Sequence, residues 1–142
     1  MFDNNIYFAD IKKAQLRFDS RRAAFDEFVM NAAKLMGYLK GIGIAIALFG
    51  NSSTQFDFLG ERYRFKKLPD IADEKWWRIQ LERREGVDGC GLDKYLVVGM
   101  VYVDSLKNLH DQKSDVMAFG NVGSADDVFR LLLRWLSSAA KQ

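Results

Sequence analysis

From Ala9 to Leu39, apolar side chains recur at alternating steps of three and four: Ile11, Ala14, Phe18, Phe25, Phe28, Ala32, Leu35 and Leu39, interrupted by Arg21. That spacing predicts a helix with one apolar stripe. Over about four heptads the stripe also matches a coiled-coil seam, although Phe is an awkward knob and Ala a small one, so packing on a sheet is the simpler expectation. Asp19 and Ser20 offer a second helix start that would free AQLRF for a strand. One long helix, with any kink near that point, is preferred. Lys40 and Gly41 suit its end, a cation at the negative pole of the helix and a residue that tolerates a left-handed stop. The preceding MFDNNIYF contributes possible caps in Asp3, Asn4 and Asn5.

The pattern then changes period. The run from Ile42 to Phe49, rich in Ile and flanked by Gly41, Gly43 and Gly50, reads as a strand. Asn51, Ser52 and Ser53 make a turn. TQFDFLGERYRFKKL reads as a hairpin with Leu59, Gly60 and Glu61 at its tip, Phe56, Phe58, Tyr63 and Phe65 on one face and charged residues on the other. Pro69 ends it. In KWWRIQLERR, Trp77, Ile79 and Leu81 point one way while Trp76, Arg78, Gln80 and Glu82 point the other. After the glycine-rich turn GVDGCG, DKYLVVGMVYV alternates Tyr95, Val97, Val101 and Val103 with Leu96, Val98, Met100 and Tyr102. Both of its faces are apolar, which predicts cover on both sides, from helices or from a second protein. Gly99 within it marks a bulge or a close approach of another backbone. Residues 104–114 read as a polar loop and DVMAFG, 115–120, as a last short strand. Ser124 caps a final helix with Asp126 and Asp127 in its first turn. Its body carries Val128, Leu131, Leu132 and Trp135 on one stripe and Phe129, Leu133 and Leu136 beside it. Only Arg130 and Arg134 clearly face solvent, so the helix is wedged between layers or shared with a partner.

The fold class expected is therefore α+β: a mostly antiparallel sheet of five or six strands with a long N-terminal helix and a C-terminal helix packed on it. Residues 1–142 form a single domain in this reading. At 142 residues and 49% hydrophobic content, the chain can sustain a core without metals or disulfides. Aromatic residues make up 13% of it, more than one small core readily absorbs. A net charge of +2 is too mild to argue for nucleic acid by itself. Cys90 is the sole cysteine, and the first 20 residues lack a basic start, apolar run and cleavage site, so a cytoplasmic location is favoured. GIGIAIALFG is too short to span a bilayer, so no membrane partner is expected.

Candidate chemistry is thin. One His and one Cys cannot supply the usual N/S metal set, so neither metal nor cofactor is expected. Cys90 and His110 make a nucleophile and base only if folding joins them, and no cysteine-enzyme signature surrounds Cys90. GIGIAI lacks the third glycine of a dinucleotide fingerprint. MAFGNVGSADD leads into a helix start where anions bind, but Asp126 and Asp127 already occupy that pole. The remaining candidate is a sheet face carrying Arg62, Arg64, Lys66 and Arg78 with an outward Trp76, able to stack on a base or anchor a protein. Its structural alternative is cross-strand pairing of those arginines with Asp57 or Glu82. The basic group Lys12, Lys13, Arg17, Arg21 and Arg22 reads as the wet side of the first helix.

The order helix, sheet, helix resembles that of small secretion chaperones and other adaptor proteins, in element order alone and without a shared motif. The leading expectation is a non-enzymatic protein-binding module, an adaptor, inhibitor or chaperone-like protein, which self-associates as a homodimer. Met100, Tyr102, Phe129, Leu133 and Trp135 are the candidate self-association residues. Single-stranded nucleic-acid binding through the basic and aromatic face is the alternative, and a small-molecule binder or enzyme with Cys90 near its site ranks third.

Overall fold

A computed structural model describes residues 4–70, 73, 75–113 and 117–141. The first helix, α1, runs unbroken over Asn5–Gly41. The second possible start at Asp19 is not used, because nothing in 5–41 breaks a helix: there is no proline, and Ala, Leu, Lys and Arg dominate. Asn4 stands at the N-cap without a side-chain cap bond, and Asp3 lies outside the described residues. The left-handed residue that stops the helix is Gly43, φ 93°, two positions beyond the expected Gly41.

Seven strands follow: β1 (Ile46–Leu48), β2 (Gln55–Phe58), β3 (Glu61–Pro69), β4 (Trp77–Val87), β5 (Asp93–Val103), β6 (Asn108–His110) and β7 (Gly120–Asn121), then α2 (Ala125–Ala140). They form one antiparallel meander in chain order. The fold is thus α+β, as the pattern predicts, with the extra strand coming from the segment read as a polar loop. There Asn108–His110 is short enough to escape any periodicity. Of the strand expected over 115–120, residues 115 and 116 lie outside the described residues, 117–119 are not strand, and only Gly120 pairs. The β2–β3 hairpin turns on Leu59 and Gly60, both left-handed at φ 51° and 84°. That is a type I′ turn, the kind whose twist matches the strands it joins.

Both helices pack on the same face of the sheet. Phe56, Phe58, Tyr63, Phe65, Trp77, Ile79, Leu81, Val101, Val103 and Leu109 form the floor. Phe28, Val29, Ala32, Leu35 and Met36 of α1 cover it together with Val128, Leu131, Leu132, Trp135, Leu136 and Ala139 of α2. Phe28, fully buried, meets Phe65 edge-on at 5.5 Å and Trp135 at 6.3 Å between ring centroids. A side chain buried to that degree is worth about 2–3 kcal/mol. One buried polar contact ties α1 to the segment before α2: Asn31 donates from Nδ2 to the Val122 carbonyl at 3.0 Å. Ser124 Oγ accepts from the Asp127 N–H at 3.3 Å as the N-cap of α2. Trp135, a residue expected at a self-association surface, is instead core: its ring lies over Gly99, where an added Cβ would sit 2.5 Å from it. The close neighbour that Gly99 admits is therefore a side chain rather than a backbone.

Beside Gly99 the β4–β5 register shifts between Leu81 and Glu82, so Leu81 pairs with Gly99 and Glu82 with Val97. This bulge rewrites the expected alternation, because residues paired directly across antiparallel strands point to the same side. Tyr95 and Val97 join Met100 and Tyr102 on the face away from the helices. Leu96 and Val98 join Val101 and Val103 on the helix side, where Val98 packs against the core. Among the described residues, the helices cover β5 on one face only.

Candidate functional site

The face of the sheet that the helices leave open carries Arg62, Arg64, Lys66 and Arg78, placed together by the registers Asp57↔Arg62, Gln55↔Arg64↔Glu82, Lys66↔Gln80 and Leu68↔Arg78↔Tyr102. The grouping expected from alternation is real, and so is its neutralisation. Arg62 Nε donates to Asp57 Oδ1 at 2.6 Å, with its guanidinium 3.5 Å from the centre of the Phe49 ring. Arg64 Nε donates to Glu82 Oε1 at 2.7 Å and lies 3.5 Å over the Tyr95 ring. Glu82 is nearly buried, so the second pair is screened less than a rim pair and holds β3, β4 and β5 together. Lys66 is exposed and makes no ion pair among the described residues. Arg78 is half-buried, and its Nε finds no partner among them.

Trp76 departs from expectation. It belongs to the open side but is only 6% exposed, edge-on to His110 at 4.8 Å and to Tyr102 at 6.4 Å. Alternation gives the side a residue points to, and gives no information on what lies over it. Of the self-association candidates, Met100 and Tyr102 lie on the open face, Leu133 is exposed on α2, Phe129 is half-buried against the core, and Trp135 is buried. Tyr95 and Val97, missed because the bulge could not be placed, complete an apolar and aromatic strip with Met100 and Tyr102. Val97 is 48% exposed and Met100 36%.

Next to Trp76 lies a feature that periodicity did not signal. Asp104 opens a tight turn in which its Oδ1 accepts from the N–H groups of Leu106, 2.9 Å, and Asn108, 3.0 Å. Its Oδ2 accepts from Asn108 Nδ2, 3.2 Å, and His110 Nε2, 2.8 Å. Burial alone would raise this carboxyl; the His110 bond, then those of Asn108 and Leu106, outweigh it and hold Asp104 below its ordinary value. An ionised carboxylate only accepts, so His110 carries its proton on Nε2. Its Nδ1 is buried without a partner among the described residues. Lys75, Trp76, Ser105 and Leu106 line the adjoining cleft. An Asp followed by Asn four residues on, both in a polar turn, was the legible signal for this arrangement. Cys90 is exposed in the turn before β5, whereas His110 pairs with Tyr102 near the far end of that strand. Nine residues of extended chain, about 30 Å, part them, so they form no nucleophile and base.

Compared with known proteins, the chain matches no family model, no curated protein and no solved structure. Its function must be argued from the face itself. The Gly120–Ser124 turn does not serve as an anion site, because Asp127 Oδ2 already accepts from the Asn121 N–H at 3.0 Å. No group of three or more His, Cys, Asp or Glu suited to a metal occurs among the described residues, and no helix there is long and apolar enough to cross a membrane.

Proposed function

We propose that this protein is a protein-binding module, an adaptor, inhibitor or chaperone-like protein without catalytic activity, which takes a partner on the open sheet face and also self-associates. The observation that carries this reading is the one-sided packing: both helices cover one face, leaving Tyr95, Val97, Met100 and Tyr102 as a strip on the other. Such a strip, bordered by the Arg64–Glu82 pair, the exposed Lys66 and the half-buried Arg78, has the apolar centre and charged rim of a protein interface.

The nucleic-acid alternative draws less support, since Arg62 and Arg64 are spent on carboxylates and Trp76 is not available to stack. Met100→Lys places a charge in the strip and removes a weak acceptor, Met100 Sδ, from the buried Gln80 Nε2 at 3.9 Å. It should cost no more than about 1 kcal/mol of folding stability while abolishing partner binding. A partner bound equally by wild type and variant would remove the open face from the reading. Binding of a single-stranded oligonucleotide at low salt, with affinity falling steeply as salt rises, would replace this reading with the alternative.

A further inference from the structure

α1 is longer than the body it packs on. Its described residues from 5 to 20 are exposed throughout, and the first buried one is Ala24. About 24 Å of helix, at 1.5 Å per residue, is therefore exposed, its last stretch from Ala14 bordering the sheet end, where Lys67 Nζ lies 5.2 Å from the centre of the Phe18 ring. Yet this arm is not polar: Ile6, Tyr7, Phe8, Ile11, Leu16 and Phe18 are each more than half exposed. Continuing the three-four pattern backward adds Tyr7, so that Tyr7, Ile11, Ala14 and Phe18 form the same seam that, from Phe25 to Leu35, lies on the sheet. Tyr7, Ile11 and Phe18 of this seam are nevertheless more than half exposed.

We propose that a second copy of this chain covers the arm, as an antiparallel pair of arms related by a two-fold axis near residues 12 and 13. This rests on the self-association part of the proposed function and assigns it a surface, leaving the open sheet face for another protein. Three observations select this occupant. In the register that sets Ile11 opposite Ala14 of the second copy, Phe18 faces Tyr7, so each large seam residue meets a small one or an aromatic one and every layer is satisfied twice. The same register overlaps residues 4–21 of both copies, the exposed stretch to 20 and the half-buried Arg21. Finally, a groove of about 290 Å³ opens between Ala14, Phe18 and Arg21 of the arm and Leu68, Pro69 and Trp77 at the sheet end, where this register delivers Tyr7 of the second copy. Tyr7, Phe8, Ile11 and Phe18 expose on the order of 500 Å² between them, most of the roughly 800 Å² per partner that a standard specific interface buries.

The test uses the full chain in sedimentation equilibrium and light scattering. Wild type should weigh about 33 kDa, twice the 16.3 kDa chain. Ile11→Asp should be a monomer, its dimer dissociation constant raised about 100-fold or more by carboxylates buried in the seam. Its thermal midpoint, extrapolated to low concentration, should not change, because the arm contributes nothing to the core. In a Cys90→Ser background, an equimolar mixture of Ile11→Cys and Ala14→Cys chains should crosslink to each other on oxidation, whereas Ala14→Cys alone should not. A dimer that survives Ile11→Asp overturns the arm pairing and leaves self-association standing. A wild-type monomer at 100 µM, about a hundredfold above a micromolar dissociation constant, overturns both. Crosslinking of Ala14→Cys with itself overturns the antiparallel register.

Discussion

Gly99→Ala adds one methyl where the layers are closest. The ideal Cβ would lie 2.5, 2.6 and 2.7 Å from three atoms of the Trp135 indole, against 3.4 Å or more for ordinary contact, so the ring must retreat by most of an ångström. It has little room. Trp135 is 5% exposed and lies against Phe28, which is fully buried. Overpacking of this kind costs about 1–3 kcal/mol. Alanine in place of glycine returns about 0.5–1 kcal/mol by restricting the unfolded chain, because Gly99 has no left-handed φ that alanine would strain. The net expectation is a loss of about 1–2 kcal/mol in urea unfolding, which for a chain of this size is a fall of about 3–8 °C in midpoint. The same substitution in a Trp135→Leu background, itself about 2–4 kcal/mol less stable, should instead be neutral or stabilising, since the ring it meets is gone. Equal effects in the two backgrounds, or a stabilised single variant, would refute the claim that the Gly99 seat holds α2 on this face.

Two further outcomes follow from local geometry. Leu59 is a branched residue held at φ 51° in the first position of a type I′ turn, so Leu59→Asn should raise stability by about 0.5–1 kcal/mol by denaturant titration. The folded carboxyl of Asp104 lies below its unfolded value, so its contribution is complete above about pH 4 and is lost as pH falls through the lower folded value. Asp104→Ala should cost about 1–3 kcal/mol at pH 7, by leaving the Leu106 and Asn108 N–H groups and His110 Nε2 without their acceptor, and the deficit relative to wild type should shrink in acid. A deficit independent of pH between 7 and 2 would contradict this account.

Much of the candidate face was legible because a strand's side chains alternate with a period of two whatever the strand packs against. Arg62, Arg64, Lys66 and Arg78 could be grouped on one side from that alone, and their pairing with Asp57 and Glu82 could be named as the structural alternative. The bulge at Val97–Gly99 was a different matter. An inserted residue leaves no mark in composition beyond the glycine beside it, and it moved Tyr95 and Val97 to the opposite side. The exposure of Trp76 was misread because burial depends on chain arriving from elsewhere, here the strand that brings His110 beside it.

The sequence by itself determined the two helices, the five strand segments from Ile46 to Val103 and, outside the bulged strand β5, the polarity of their faces. Heptad steps made one unbroken helix, a period of two made the strands of a meander, and Ser124 with Asp127 made the start of α2. These follow from interactions between residues close in the chain. Only the tertiary structure decided which surfaces were covered. Trp135 of α2 seats over Gly99 on the face that α1 also covers, and a seam that runs from Ile11 to Leu39 with Arg21 as its interruption is core at one end and largely exposed at the other. Apolar periodicity records that a face is to be buried, whereas whether this chain or a second one buries it depends on lengths and distances set between elements.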